Sequence, residues 1–425
     1  MTAPLQGLRV LDLSRVLAGP WCAQNLGDLG AEVIKVERPG RGDDARQFGP
    51  PWMPDAAGEP TGESAYFLCA NRNKRSVAID LAAPAGQALV RELARASDVL
   101  VENYKVGTLA RYGLGYADLV RINPRLIYCS ISAYGQDGPY AKRPGYDYLF
   151  QGACGLMSVT GEPDDLPGGG PQRIGVPIVD MFTGMYAGLA VLAALAHRHS
   201  TGAGQYVDVS LFASAMALGA TPLSDYIVGA SLRRRSGNSA TNIAPYSVFR
   251  CCDGDLIIAT ANDGQFVALC RALQRPDWAQ DERFHSNQAR LANLPALHAL
   301  LGEVLAAGSR QHWEDLLVPV GVPCGPINDY RQAIEHPQAL HLGTKVKTPH
   351  RLGVPAASIA SPMRFSETPA GYRRAPPLLG EHTREVLREE LGLSEEEVAR
   401  LHRQGVIGFA DEPTRVAAAI GGAGE

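Results

Sequence analysis

Apolar residues in the first 135 positions fall in short runs separated by polar, Gly-marked or Pro-marked breaks. Residues 8–14 (LRVLDLS), 31–37 (AEVIKVE), 76–81 (SVAIDL), 99–103 and 126–133 (LIYCSISA) have the length and content of strands. Helical stretches lie between them: 21–29, opened by Gly19-Pro20 and closed by Gly30, 85–96 behind Pro84, and 116–122. This alternation predicts an α/β layer with a mostly parallel, Rossmann-like sheet. The dinucleotide fingerprint is missing. The turn after the first strand reads Arg15-Val16-Leu17-Ala18-Gly19-Pro20, and no GxxxxGK[ST] loop occurs. That argues against a nicotinamide or flavin dehydrogenase.

Further along, a Gly/Pro loop at 161–171 precedes an apolar, strand-like run at 175–179. A long apolar helix is predicted from Met181 to His197. Its uncharged stretch, 181–196, is shorter than the roughly 20 residues of a membrane span, so it reads as a buried helix. A strand at 205–210 and a helix at 212–218 follow. Near residue 230 the pattern changes. Strands at 246–252 and 256–261 flank a hairpin signal, Asp253-Gly254, and helices are expected at 265–273, 294–306 and 311–318. The segment 321–329 looks like an exit from this region. The expected organisation is a large α/β domain (1–224), a smaller α+β domain (225–330), and a return to the large domain with C-terminal helices (331–425). Met363-Arg364-Phe365 is a candidate extra strand of the first sheet. Ser394 and Glu397 form a capping box for a helix ending near Arg403, and 411–425 is expected to be a mobile tail.

Charge narrows the function classes. The chain has 425 residues with 40 Lys+Arg against 44 Asp+Glu, and no basic tract beyond Arg233, Arg234 and Arg235. No nucleic-acid partner is expected. The eight cysteines form no CxxC and the ten histidines no HExxH, so no metal site is expected. Scattered thiols and an N-terminus without a basic-then-apolar segment suggest a cytoplasmic protein with no membrane partner. The 46 glycines and 30 prolines mark turns and close backbone approaches rather than disorder.

Asp180, between the strand-like run and the apolar helix, has two readings. It is a helix N-cap, or a carboxylate held ionised by backbone donors and able to attack an activated acyl group. Tyr146-Asp147 is a turn or a polarising pair. The segment 71–76 (NRNKRS) is a solvated loop or a phosphate binder. Arg38 and Arg111 are lone arginines with no role visible from spacing.

The ordered segments LDLSRVLAGPWCAQNLGDLGAEVIKVERPGRGD (11–43), NRNKRSVAIDL (71–81), DVLVENYKVGTLARYGLGY (98–116), YGQDGPYAKRPGYDYLFQGACGLMSVTG (134–161), VPIVDMFTGMYAGLAVLAALAHRHSTGAGQYVDVSL (176–211), PYSVFRCCDGDLIIATANDGQF (245–266) and GVPCGPIND (321–329) resemble the class III CoA-transferases. The resemblance spans nearly the whole chain. It implies a Rossmann-like large domain, a smaller α+β domain and an interlocked homodimer. It implies that Asp180 is the nucleophile, forming an aspartyl anhydride and then an aspartyl-CoA thioester, with no metal and no tightly bound cofactor. Coenzyme A thioesters and small carboxylic acids are then the substrates. Arg38 and Arg111 match contacts to the nucleotide part of coenzyme A, Asn103-Tyr104 an Asn–aromatic pair, and Ile79 an adenine-side contact. Leu17-Ala18 matches a turn beside the thioester, and Tyr146-Asp147 an aromatic–acid pair near the nucleophile.

Departures from the family pattern carry information too. Oxalate-using members carry Gln where this chain has Leu17, and a glycine run where it has Gly237-Asn238-Ser239. The family's CoA-binding Lys is Ala82 here, with Lys74 or Arg72 as possible stand-ins. The 245–266 segment is most similar to succinyl-CoA-dependent members acting on dicarboxylates such as glutarate, hydroxymethylglutarate, malate or itaconate. Asn238 or the arginines at 233–235 would meet the distal carboxylate. The alternatives are a 2-methylacyl-CoA racemase of the same fold and a non-catalytic acyl-CoA-binding protein. Racemising relatives carry His at the position of Tyr146 and glycines in place of Met181-Phe182-Thr183.

Overall fold

A computed structural model describes residues 3–410. Seven strands form one sheet in the order Ile407–Gly408, Lys74–Ile79, Glu32–Glu37, Arg9–Asp12, Val99–Glu102, Ile127–Ser132, Tyr206–Ser210. All neighbours are parallel except Ile407–Gly408, which runs antiparallel against Lys74–Ile79. Setting that edge aside, chain order across the sheet is 3-2-1-4-5-6, the doubly wound arrangement. The direction of winding reverses between Arg9–Asp12 and Val99–Glu102. Beyond the carboxyl ends of those two strands the fold leaves a crevice.

Alternation along the strands sends side chains to two faces. Leu11, Ile34, Val36, Val77 and Ile79 pack with the helix Pro84–Arg95 and the C-terminal helices. Val10, Val33, Val99, Ile127 and Cys129 pack under the helices Ala18–Asp28 and Ile178–Thr201. On this second face the strand ends turn polar. Asp12, Lys35, Glu37, Lys74 and Ser76 are all buried there.

These charges satisfy one another. Lys74 Nζ donates to Asp12 (2.8 Å), the Asn71 side chain and the Pro20 carbonyl. Lys35 pairs with Asp43 at 2.9 Å and donates to the Ser14 carbonyl at 2.8 Å. Arg46 holds Glu37 through Nε and Nη2, both at 2.8 Å. Burial opposes ionisation of Glu37, but Arg46 foremost, with Lys35 and Ser76, outweighs it and pushes the carboxyl down to about 2. The segment 71–76 is therefore neither a solvated loop nor a phosphate binder. Lys74–Ile79 is a buried strand. Arg72 is locked onto Asp28 (2.9 and 2.6 Å) and the Ile359 carbonyl (2.6 Å), and Lys74 is equally engaged, so neither stands in for a lysine at Ala82.

The chain forms two compact units. One comprises the chain up to Gly155, Ile174–Ser224 and the chain from Gln338; the other is Leu156–Arg173 with Asp225–Pro337. The second unit has a three-stranded antiparallel sheet in the order Cys324–Pro326, Gly254–Ala259, Tyr246–Cys251. It packs on helices that include Asp263–Ala272, Leu294–Ala306 and Arg310–Leu317 around Phe249, Leu256, Phe266, Leu301 and Trp313.

Four assignments differ from the sequence reading. The second unit continues to Pro337 rather than ending at 330. Leu156–Arg173 joins the second unit because Gly237 N–H donates to the Gly161 carbonyl (3.0 Å) and Arg235 pairs with Asp164. Residues 321–329 are not an exit, since Cys324–Pro326 completes the small sheet. Met363-Arg364-Phe365 forms no strand; the returning strand is Ile407–Gly408. The capping box at Ser394 and Glu397 is present. The expected tail at 411–425 lies outside the described residues.

Arg46→Met strands a buried Glu37 charge and is expected to cost about 3–5 kcal/mol in denaturant unfolding. A loss below about 1 kcal/mol contradicts this account. Because Glu37 is depressed to about 2 in the folded chain, its contribution is complete above about pH 5 and disappears as pH falls toward 2. A Glu37→Gln variant is expected to show a flatter loss of thermal stability over that window.

Candidate active site

The helix Ile178–Thr201 begins three residues earlier than expected, and no strand precedes it. Pro177 is the N-cap and offers no side-chain acceptor. The cap comes instead from Asp147 at the start of the helix Asp147–Ala153. Its Oδ2 accepts from Val179 N–H (2.7 Å) and Asp180 N–H (3.1 Å), and its Oδ1 from Gln151 Nε2 (2.6 Å). Asp180 is thus not the N-cap. It sits within the first helical turn, and the backbone donors expected to hold its carboxylate are taken by Asp147. Burial, with Asp147 adding repulsion, pushes Asp180 up to about 7. The expectations that Asp180 caps the helix or that backbone donors hold its carboxylate ionised are therefore both corrected.

Gly184, one turn further, brings this helix onto the start of Ala18–Asp28. A Cβ added at Gly184 would lie 2.5 Å from the Ala18 carbonyl oxygen. The helix Ala18–Asp28 has no side-chain cap either, so its leading N–H groups stay available. Ahead of it, Arg15 and Asn103 bind reciprocally across the switch point. Arg15 N–H donates to Asn103 Oδ1 (2.8 Å) and Asn103 Nδ2 donates to the Arg15 carbonyl (2.7 Å).

Two clefts meet at this turn, both bordered by Arg15, Asp44 and Tyr104. The smaller, about 170 Å³, is lined by Leu17, Ala18, Asn103, Tyr104, Tyr146 and Asp180 among others. The larger, about 390 Å³, takes in Arg38, Arg41, Ile79, Ala82 and Tyr112. Arg15 and Arg41 are each bound to Asp44 at 3.2 Å, while Arg38 is exposed at the rim. Ile79 is buried and contributes an apolar wall.

Most of the residues proposed from sequence therefore converge on one pair of clefts. Arg111 does not line them. It is exposed on the short turn Ala110–Tyr112, whose Tyr112 does. Asp147 acts behind the cleft through the Asp180 helix, while Tyr146 is 74% exposed at its edge. Gly237 and Asn238 belong to the second unit. Gly237 has φ +57°, and a Cβ there would meet the Glu162 carboxylate at 2.4 Å. Arg233 pairs with Asp225 and Arg235 with Asp164, leaving Arg234 exposed. Sequence reasoning missed Arg15, Lys35, Asp43, Asp44 and Tyr66. Burial first, then the Asp180 charge, raises the Tyr66 hydroxyl above its ordinary range, which places it within electrostatic reach of that carboxyl. None of the five forms a motif; only the fold assembles them. Among the described residues no cluster of His, Cys, Asp and Glu could hold a metal ion.

The family model for CoA-transferase family III matches residues 5–383. The chain belongs to CoA-transferase family III. Within that family, it is 44% identical to a succinate–glutarate CoA-transferase from Agrobacterium fabrum, over 91% of this chain and 95% of that one. It is 41% identical to a succinyl-CoA:glutarate CoA-transferase from Mus musculus, over 95% and 90%. A CAIB/BAIF family protein from Brucella suis superposes with a TM-score of 0.83 at 44% identity, covering 92% of this chain and all of that one.

In a family III enzyme that uses Asp180 ionised, kcat/KM for the acyl-CoA is expected to rise with pH through about 7. Asp147→Asn removes the repelling charge but keeps an acceptor for the helix. It is expected to move that limb to lower pH. An unmoved or higher limb contradicts the electrostatic assignment.

Proposed function

We propose that this chain moves coenzyme A from succinyl-CoA to a dicarboxylic acid, glutarate foremost, with Asp180 as the nucleophile. The observation that carries the reading is Asp180 itself. It is a partly buried carboxyl in a cleft that also contains the uncapped start of Ala18–Asp28. The names of the relatives supply the substrate pair.

Asp180 adds to the succinyl thioester carbonyl and the C–S bond breaks, giving a mixed anhydride and CoA thiolate. The thiolate adds to the aspartyl carbonyl and the anhydride C–O bond breaks. Succinate leaves and an aspartyl-CoA thioester remains. The acceptor carboxylate then adds to the aspartyl carbonyl and expels the thiolate, which attacks the new acyl group and frees Asp180. No net proton is consumed. Each addition places negative charge on a carbonyl oxygen, and the free N–H groups at Leu17 and Ala18 are suited to receive it. In this reading the larger cleft holds the nucleotide end of coenzyme A, with Arg38 facing phosphate and Ile79 the base.

The apolar side of Ile178–Thr201 bears on assembly. Val179, Ala187, Val191 and Ala194 are buried, but Met185, Tyr186 and Leu189 on the other side are 40–62% exposed. The helix expected to be buried is thus buried on one face only. It is also the one described helix long and apolar enough to cross a membrane. Within this proposal a second copy of the chain covers the open face.

Incubation with succinyl-CoA and hydroxylamine is expected to leave a hydroxamate at Asp180, detectable by mass spectrometry. Asp180→Asn should abolish it and lower turnover by about 10³-fold or more. CoA binding with neither adduct nor exchange sinks the proposal. Arg38→Ala is expected to raise the acyl-CoA KM by about ten- to a hundredfold with little change in kcat. Light scattering at the mass of one chain rules out the second copy.

A further inference from the structure

The turn before Ala18–Asp28 contains a conformational outlier. Val16 has φ +69°, a left-handed conformation that a β-branched residue strongly disfavours. It is held there from several directions. Val16 N–H donates to Asp43 Oδ1 at 2.9 Å. Asp43 is itself buried, paired with Lys35 at 2.9 Å, and also caps Ala45 N–H at 3.0 Å. Lys35 reaches back to the Ser14 carbonyl, and Asn103 clamps both backbone groups of Arg15. Ser14 and Arg15, the residues just before the outlier, are thus fixed to the sheet.

Strain of this kind persists only where surrounding contacts over-determine it. A glycine at 16 would adopt the same φ without penalty. The residues that follow Val16 are Leu17 and Ala18, whose backbone borders the same cleft as Asp180. The Ala18 carbonyl in turn lies against Gly184 of the Asp180 helix, so this turn and the carboxyl form one packed assembly.

We propose that Val16 is a positioning residue. Its restrained left-handed backbone, clamped by Asp43 and Asn103, fixes where the Leu17 and Ala18 N–H groups meet the oxyanion formed at Asp180. The inference rests on the reading of Asp180 as nucleophile. Its content is separate: Val16, which borders the same cleft, sets the rate through backbone rigidity rather than through its side chain.

Val16→Gly removes the steric penalty and loosens the turn, whereas Val16→Ala keeps a Cβ and most of the restraint. The expected result for Val16→Gly is a thermal midpoint at or above wild type. Its kcat falls about tenfold or more, while the acyl-CoA KM moves less than about threefold. Val16→Ala is expected to stay within about threefold of wild-type kcat. An unchanged kcat in Val16→Gly overturns the proposal. Equal losses in both variants also overturn it, because the side chain rather than the backbone would then matter. So does a loss of kcat that follows a loss of thermal stability. The hydroxamate at Asp180 is measured in parallel. If wild type forms none, the nucleophile reading and this inference fall together. If wild type forms it and Val16→Gly turns over normally, only this inference falls.

Discussion

The cleft depends on charges buried on one face of the large sheet, along Arg9–Asp12, Glu32–Glu37 and Lys74–Ile79. Asp12 with Lys74, Lys35 with Asp43, and Glu37 with Arg46 lie on one face of the sheet, below the start of Ala18–Asp28. Taking such groups from water is costly, and each pair is tolerable only because its remaining hydrogen-bonding capacity is met. Here backbone groups meet much of it: the carbonyls of Ser14 and Pro20 and the N–H groups of Ser14, Val16, Asp43 and Ala45. The network therefore anchors loops as well as balancing charge. Apolar contacts, which have no direction, would not hold the 14–18 turn in a strained conformation.

The electrostatics around Asp180 follow from the same economy of partners. Asp147 satisfies the N–H groups at the start of Ile178–Thr201 and so stabilises the helix on which Asp180 sits. The same carboxylate adds repulsion to the burial that already raises Asp180. A carboxyl pushed up to about 7 is more basic, and hence a stronger nucleophile when ionised, than one held near its ordinary value. It still supplies a substantial ionised fraction near neutrality. The Asp147 carboxylate thus bears on both the position of Asp180 and, second to burial, its ionisation.

Much of the fold could be read from the residues. The helix Tyr116–Ile122 and the helix Leu294–Ala306 have the expected limits, and the first five expected strands all form within two residues of the predicted ends. Periodicity and Pro or Gly breaks act locally, so local sequence suffices for them. The ribbons Trp52–Pro54 with Pro60–Ser64, and Lys345–Thr348 with Ala356–Ile359, were not anticipated. Such short, Pro-rich or mixed-polarity segments become strands only by pairing. The attachment of Leu156–Arg173 to the second unit was hidden for a related reason. It depends on contacts to residues some 70 positions away.

By itself, the sequence determined the α/β alternation and the family, and it nominated Asp180, Leu17, Ala18, Asn103, Tyr104 and Arg38, residues that the fold brings to one pair of clefts, because ordered motifs carry that information. It did not reveal which carboxylate caps the Asp180 helix, why Asp180 is raised, or that Arg72 and Lys74 are structural rather than ligand-binding. Those outcomes depend on burial and on partners brought from distant parts of the chain. Only the tertiary structure decides them, because a charged side chain has the same sequence signature whether it meets water, a ligand or a buried counter-ion. What separates those cases is the free energy of its surroundings.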